Sequence, residues 1–455
     1  PRGGGGRPPP HGENPMGDVP ILMGAADLLQ GGGMKHAPYV VLGAGTTAYA
    51  AIESILQRDS SAEIIMITDT TSVNREFDDF GGDFVISQEM LEIYNEHRRH
   101  ISPKLEPEPD GSGGRPLTVL LSDEPMRVDA DRKRVLLNDQ PLLQFDTCLM
   151  ALPGNPRGFY VLDYNKMTYK FRDRIAACRS LDDFRVLDNL HLRPLAASIV
   201  VLGGGFMGTE LALLLASRRL PHQVVRQVYA EESPLARYVP SYLAAHVRKL
   251  LESKGVEQVP YRVCTRVMRD VGAEPPGGGD FNSPPMLIEM VGAHTERMSA
   301  DFLVLASTHI DPATDVAQHS GFELCNSTGG VVVNSQLEAI NGVYAAGTLA
   351  SFHDRVLGRR RVDSFDNAVN SGMLAGRNMA ATRLRQMGND AHASYSHQPV
   401  FRSALPSAGV LVETLGEIGS GMLTVGVWLS PPVQARGQAA GGEAGGGGGE
   451  EQFQG

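Results

Sequence analysis

The 455-residue chain predicts an α/β fold, and three observations carry that prediction. Two glycine turns each fall between a short β-branched run and a helical stretch. Each is followed, one strand later, by an acidic residue. The remaining strand candidates are short continuous apolar runs, the pattern of strands buried on both faces. Together these give two Rossmann-type domains, followed by a small, truncated α+β C-terminal domain.

The elements follow in order. Residues 1–35 are rich in Gly and Pro and read as a disordered leader, neither a signal peptide nor a good transit peptide. Residues 39–42 (YVVL) form a strand, residues 43–48 (GAGTTA) the turn, and Ala50, Ala51, Ile52, Ile55 and Leu56 keep helical spacing. Residues 64–68 are the next strand, which completes a βαβ unit. A Pro/Gly-rich loop spans 103–116, and apolar residues at 119–121, 128 and 135–137 suggest a small antiparallel meander. The second unit runs from strand 199–202 (IVVL) through turn 203–208 (GGGFMG) and helix 211–218 to strand 224–229. A polar stretch at 272–285 sits where a hairpin loop would fall, and 302–306 and 343–346 are further buried strands. This divides the chain into a discontinuous first domain (36–165 and 299–388), a second domain (166–298), a partial C-terminal domain (389–430) and a disordered tail (431–455). Beginning at Pro1 rather than Met, the chain reads as a fragment or the product of an incomplete gene model.

Charge and composition narrow the function classes. A net charge of −11 opposes general nucleic-acid binding, which needs a basic face to displace counterions from phosphates. The basic run Arg359-Arg360-Arg361 reads as a solvated or ion-paired loop rather than a nucleic-acid patch. Four cysteines without a C-x-x-C pair give neither a disulfide framework nor a dithiol redox centre. No apolar run reaches transmembrane length. His392 and His397 have no Cys or carboxylate at ligand spacing, so no metal site is expected.

The glycine turns carry the chemistry. In a strand–turn–helix, the first glycine permits the tight turn, the second admits a diphosphate, and the third lets helix and strand approach. The diphosphate then rests on the helix N-terminus, where free N–H groups and the macrodipole favour negative charge. Gly203, Gly205 and Gly208 fill all three places; Gly43 and Gly45 fill two, with Ala48 in the third. Asp69 and Glu231 are the acids that follow, placed to accept from an adenosine ribose hydroxyl. Glu231 favours NAD(H), since a carboxylate repels a 2′-phosphate; Arg226 and Arg237 nearby moderate that preference. Two such turns imply two dinucleotides, one held as a redox cofactor and one exchanging.

On these residues a resemblance can be stated. The stretches HAPYVVLGAGTTAYAAIESILQRD, IVVLGGGFMGTELA, GVYAAGTLASFHDRVLGRRRVDSFDNAVNSGMLAGRNM and YSHQPVFRS resemble the apoptosis-inducing factor family of mitochondrial FAD-dependent NADH oxidoreductases, over residues 36–428. The resemblance implies FAD on Gly43, Gly45, Thr46, Ala48 and Asp69, with Arg75 and Arg157 near the flavin and Gly347 and Thr348 near the ribitol. It implies NADH on Gly203, Gly205, Phe206, Gly208 and Glu231, with Arg237 near the phosphates and Glu210 close to the flavin–nicotinamide junction as the catalytic residue. It further implies hydride transfer from nicotinamide to flavin, an external electron acceptor, protein partners in mitochondria, the intermembrane space as location and relocation to the nucleus.

Departures from the family pattern are also legible. Phe80 stands where the family has a flavin-side lysine, and Thr348 replaces a carboxylate that bonds the ribitol. Ser364 and Arg402 replace a histidine and a tryptophan on the nicotinamide side. Val332 and Ile340 occupy places of dimer-interface arginines, which leaves dimerisation open. Together these changes predict weakened flavin retention and slow turnover. The leading expectation is an FAD-dependent NADH oxidoreductase; the competing one is a scaffold or interaction protein that keeps the fold with little redox activity.

Overall fold

The computed structural model describes residues 22–24, 34–69, 117–156, 174–176, 178, 187, 197–269, 286–306, 310–384, 392–405 and 408–427. The chain divides after Ser420. In the following unit the described residues, 421–427, have no regular secondary structure, and Leu423 is 99% exposed. The part of the expected C-terminal domain that they cover therefore forms neither strand nor helix. Trp428 lies outside the described residues.

The larger unit is built on two mostly parallel sheets. The first comprises β1 (Leu22–Gly24), β2 (Lys35–Leu42), β3 (Ile64–Thr68), β4 (Leu117–Leu121), β5 (Met126–Asp129), β6 (Arg134–Leu137) and β7 (Gln140–Met150), completed by two strands from near residue 340. Its order is β1-β4-β3-β2-β7, and every pair along that path is parallel. Strand β2 is central because its YVVL segment is apolar on both faces; Tyr39 to Leu42 are completely buried. Helix α1 (Thr46–Arg58) returns from it to β3 with Ala48, Ala51, Ile52 and Ile55 inward.

Two expectations need correction here. Leu22–Gly24 is not leader but a short parallel strand on the sheet edge, paired with β4. Leu117–Leu121 is likewise not part of a meander but a parallel strand beside β3. The antiparallel meander is β5-β6-β7.

The second sheet has β10 (Ser198–Leu202) at its centre. The strands before it are β8 (Asn155–Pro156) and β9 (Ile175–Ala176). Helix α2 (Phe206–Arg218) leads from β10 to β11 (Val224–Val228), and α3 (Ser241–Ser253) leads on to β12 (Val256–Val259). A three-stranded antiparallel sheet of β13 (Val263–Arg269), β14 (Met286–Val291) and β15 (Thr295–Ala300) follows, so a hairpin does bracket the polar stretch. Next comes β16 (Phe302–Leu305), parallel to β10, giving the order β12-β11-β10-β16-β9. The boundary expected at 299 thus falls after Ala306. Phe302–Leu305 is uniformly buried, and such a run does not declare which sheet it enters.

The chain then returns to the first sheet. Strand β17 (Ile310–Asp311) pairs with β8, and α4 (Asp315–His319) precedes β18 (Val331–Val332). Strands β19 (Glu338–Ile340) and β20 (Val343–Ala345) finish the first sheet, with β20 parallel to β7. A 3-10 turn at Gly347–Leu349 leads to β21 (Ala350–Asp354), β22 (Gly358–Arg360) and the long α5 (Phe365–Leu384). Helix α5 lies against α1 at very short range: a Cβ on Gly372 or Gly376 would strike the backbone of Thr47 or Ala51. The last hairpin, β23 (Val400–Leu405) with β24 (Val410–Leu415), is antiparallel. It is not free-standing, since Phe401, Leu405, Val410 and Val412 pack on the core of the second sheet.

Candidate functional site: two glycine turns at two sheet crevices

Each central strand ends where its two neighbours diverge, the position at which open α/β sheets bind ligands. At the first crevice, Gly43 takes φ +107°, its N–H donates to Ile67 O at 2.8 Å, and Ala151 N–H donates to Leu42 O at 2.8 Å. A Cβ on Gly43 would strike the Ala151 carbonyl, so only glycine fits. Gly45 is the N-cap of α1; no side chain caps that helix and its first turn holds no acid. A Cβ at Gly45 would meet nothing within 4 Å among the described residues, which leave the space over the bare helix start open. Thr46 is half-buried beside it, Ala48 is fully buried in the helix–sheet contact, and Asp69 stands half-buried one residue past β3.

The fold brings Gly347 to this crevice from about 300 residues downstream. Its φ is +67°, a Cβ would collide with the Thr47 hydroxyl, and its N–H donates to the buried Ser371 Oγ at 2.8 Å. Thr348 follows, with its hydroxyl facing Gly154, where a Cβ would lie 3.3 Å from it. Arg75 and Arg157 lie outside the described residues, as do residues 74–80.

The second crevice repeats the plan. Gly203 takes φ +136°, its N–H donates to Val228 O at 2.9 Å, and Ala306 N–H donates to Leu202 O at 3.0 Å. Gly205 is the N-cap of α2, again without a side-chain cap or a first-turn acid. A Cβ on Gly208 would strike Gly203 O, so the third glycine is what lets α2 sit on its strand. Phe206 opens α2 but turns its ring into the core, 9% exposed, with Tyr238 and Phe401 rings at 5.0 and 4.5 Å. What it offers the crevice is therefore its backbone N–H, not its side chain.

Charged groups gather at this second crevice. Glu231 lies beyond β11, its Oε2 near Gly204, and is ion-paired with the Arg237 guanidinium. Arg226, by contrast, is spent on Glu257 at 2.7 Å and on Ser198 Oγ at 2.9 Å. Glu210, one turn into α2, accepts from Ser403 Oγ on β23. Burial pushes the Glu210 carboxyl above its ordinary range, and the Ser403 bond partly opposes that. Arg402, next in the chain, points away toward Glu413 at 3.6 Å. Ser364 caps α5, accepting from Asn367 N–H at 3.0 Å.

Sequence reasoning did not find Ser403, Ser371, Gly372 and Gly376. The glycines carry a signal, small residues four apart on a helix, but its meaning needs the partner helix. The three consecutive arginines are all engaged. Arg359 donates to Val333 O and Ser351 O, Arg360 pairs with Glu417 at 2.8 Å, and Arg361 pairs with Asp363 at 2.7 Å and also holds backbone carbonyls. The histidines singled out have other partners: His392 bonds Thr382 Oγ1 at 2.8 Å and His397 lies 2.7 Å from Asp366. All four cysteines are free thiols; Cys148, Cys178 and Cys264 are buried, and the half-buried Cys325 is held down to about 6 by hydrogen bonds from the Ser327 and Thr328 hydroxyls. No helix among the described residues is long and apolar enough to cross a membrane.

Comparison with known proteins fits two such crevices. Residues 37–372 match the pyridine nucleotide-disulphide oxidoreductase family, and the chain belongs to it. Members of that family are NAD(P)H-dependent flavoprotein oxidoreductases that use FAD. Within it the chain is a divergent relative of apoptosis-inducing factor 1. The mitochondrial protein of that name from Dictyostelium discoideum is 30% identical over 408 residues, 88% of this chain and 71% of that one. Its namesake from Drosophila melanogaster is 30% identical over 425 residues, again 88% of this chain, but the chain spans only 53% of that relative's length. Putidaredoxin reductase, solved in covalent complex with putidaredoxin, shares the fold at a TM-score of 0.62 and 19% identity, covering 84% of this chain and 81% of that one.

The residues present fit a dinucleotide at both turns. Each helix start is uncapped and uncharged, as an anion site requires. Over Gly45 there is room that any Cβ would fill.

Proposed function

We propose that the chain is an FAD-dependent NADH oxidoreductase that moves a hydride from nicotinamide to flavin and passes electrons to an external acceptor. The observation that carries this reading is the pairing of two glycine turns, each at the crevice of its own parallel sheet, in a member of this family. The domain assignment that goes with it is a flavin domain on the first sheet and a nicotinamide domain on the second. When bound, a flavin supplies the redox chemistry, accepting two electrons from a hydride and releasing them to an acceptor.

The chain's own residues bind and orient. Gly43, Gly45, Thr46, Ala48 and Asp69 hold the adenosine diphosphate half of FAD, Arg75 and Arg157 contact the flavin, and Gly347 and Thr348 line the ribitol side. Gly203, Gly205, Gly208 and the start of α2 hold the NADH diphosphate. Glu231 accepts from the adenosine ribose, with Arg237 held beside it. Glu210 is fixed by Ser403 at the nicotinamide end and orients the hydride donor.

Putidaredoxin reductase, which shares the fold and is solved in covalent complex with putidaredoxin, supports a redox protein as the class of acceptor. A mitochondrial location and a part in apoptosis are supported by the names of the relatives. The test is optical. Purified protein is expected to be yellow and to bleach when NADH is added anaerobically. A colourless protein that stays colourless after FAD is added overturns the reading in favour of a scaffold.

A further inference from the structure

Arg361 makes an unusual set of bonds for a residue in a run of three arginines. Its Nη2 donates to Ile310 O at 2.8 Å, Nε to Thr328 O at 3.0 Å and Nη1 to Thr348 O at 3.3 Å. Nη1 also meets Asp363 Oδ1 at 2.7 Å, and the side chain is only 15% exposed. One rigid guanidinium therefore gathers backbone from three segments separated in sequence, and the planar fork permits this where an ammonium would not. The fold makes room for it: a Cβ on Gly330 would press on Arg361 Cδ at 3.2 Å and Leu349 O at 2.7 Å.

Two of the three carbonyls share a destination. Thr348 belongs to the Gly347–Leu349 turn, which abuts Thr47 at the start of α1. Ile310 reaches the same place from another side, since a Cβ on Gly154 would strike its methyl and lie 3.3 Å from Thr348 Oγ1. Arg359 offers a contrast. It also holds two carbonyls, Val333 O at 2.9 Å and Ser351 O at 2.7 Å, but touches neither Ile310 nor Thr348.

We propose that Arg361 is a positioning residue for flavin retention, clamping Thr348 and Ile310 so that the Gly347–Leu349 turn stays closed over the glycine turn at Gly43. This rests on the reading that Gly347 and Thr348 face the ribitol. It assigns a task to the third arginine of the run that charge alone does not.

The test follows FAD release from the purified holoprotein by recovery of free-flavin fluorescence, with thermal midpoints recorded alongside. Arg361→Met is expected to release FAD at least tenfold faster than wild type. Arg361→Lys, which keeps the charge and part of the bonding, falls between the two. Arg359→Met, which loses two carbonyl bonds and neither of those to Ile310 and Thr348, releases FAD at the wild-type rate. Equal acceleration by Arg359→Met, or wild-type release by Arg361→Met, overturns the proposal. Gly347→Val separates the two levels. If it also leaves release unchanged, the ribitol reading is wrong and the proposal falls with it. If it speeds release while Arg361→Met does not, the role of Arg361 alone is refuted.

Discussion

The two crevices share a backbone plan almost atom for atom, yet they are enclosed differently. In both, a glycine at positive φ closes onto the residue that follows the neighbouring strand, Ala151 in one and Ala306 in the other. Around the first, the described packing is mostly small, apolar and close. The floor is Ile64 to Ile67, α5 presses on α1 through Gly372 and Gly376, and Gly347 folds over Thr47. Around the second, polar groups take over. Gln227, fully buried, holds Gly203 O at 3.0 Å, with Gln258 and Tyr229 behind it, and Glu231, Arg237 and Glu210 stand at the rim. Close, largely apolar packing suits a cofactor held through many turnovers. A rim of partly exposed charge suits a ligand that must be recognised and released.

That contrast can be broken from either side. The largest effect is expected at Gly43→Val, which forces a β-branched residue into positive φ and a Cβ into the Ala151 carbonyl. Backbone strain and overpacking together cost roughly 2–6 kcal/mol, and thermal unfolding should show a correspondingly lowered midpoint with flavin lost. Gln227→Leu is next. It leaves the buried Gly203 carbonyl short of a donor and should cost about 1–3 kcal/mol while FAD stays bound, because the polar ladder serves only the second crevice. Flavin loss from this variant would show the two crevices to be coupled.

Glu231→Ala should leave stability within about 1 kcal/mol, since its ion pair is partly exposed. It should nevertheless lower the preference for NADH over NADPH about tenfold, equivalent to about 1.4 kcal/mol, because Arg237 is then free to meet a 2′-phosphate. Steady-state kinetics with both coenzymes reads this directly. The smallest effect concerns pH. The Glu210 pKa is raised in the folded chain from an ordinary 4.5, so its protonated form favours folding and its contribution is lost as pH rises through the folded value. Relative to wild type, Glu210→Gln should therefore gain thermal stability between pH 4 and pH 7. An unchanged difference across that range would mean that Glu210 is not desolvated.

The sequence made the glycine turns legible because the constraints there are local: a turn, a close approach and a helix start all fall within six residues. Ile64–Thr68 and Phe302–Leu305 were legible as strands for the same reason, being short apolar runs. Which sheet they join was not. Phe302–Leu305 pairs with β10 rather than closing the first domain, and Leu117–Leu121 sits beside β3 rather than in a meander. An apolar run buried on both faces carries no label for its neighbour. The contacts that complete each site were hidden for a related reason. Ser403 reaches Glu210 across 193 residues and Arg361 reaches Ile310 across 51, and neither residue type announces such a partner. Phe206 misled in the opposite direction, since its place in the motif is fixed by the backbone while its ring serves the core.

The central claim, that the first turn holds a resident flavin and the second an exchanging nicotinamide, is tested most directly by the anaerobic absorbance spectrum of Gly205→Val before and after NADH. The account predicts a flavin spectrum of wild-type intensity that NADH no longer bleaches. A spectrum without flavin, or one that NADH bleaches at the wild-type rate, would contradict it.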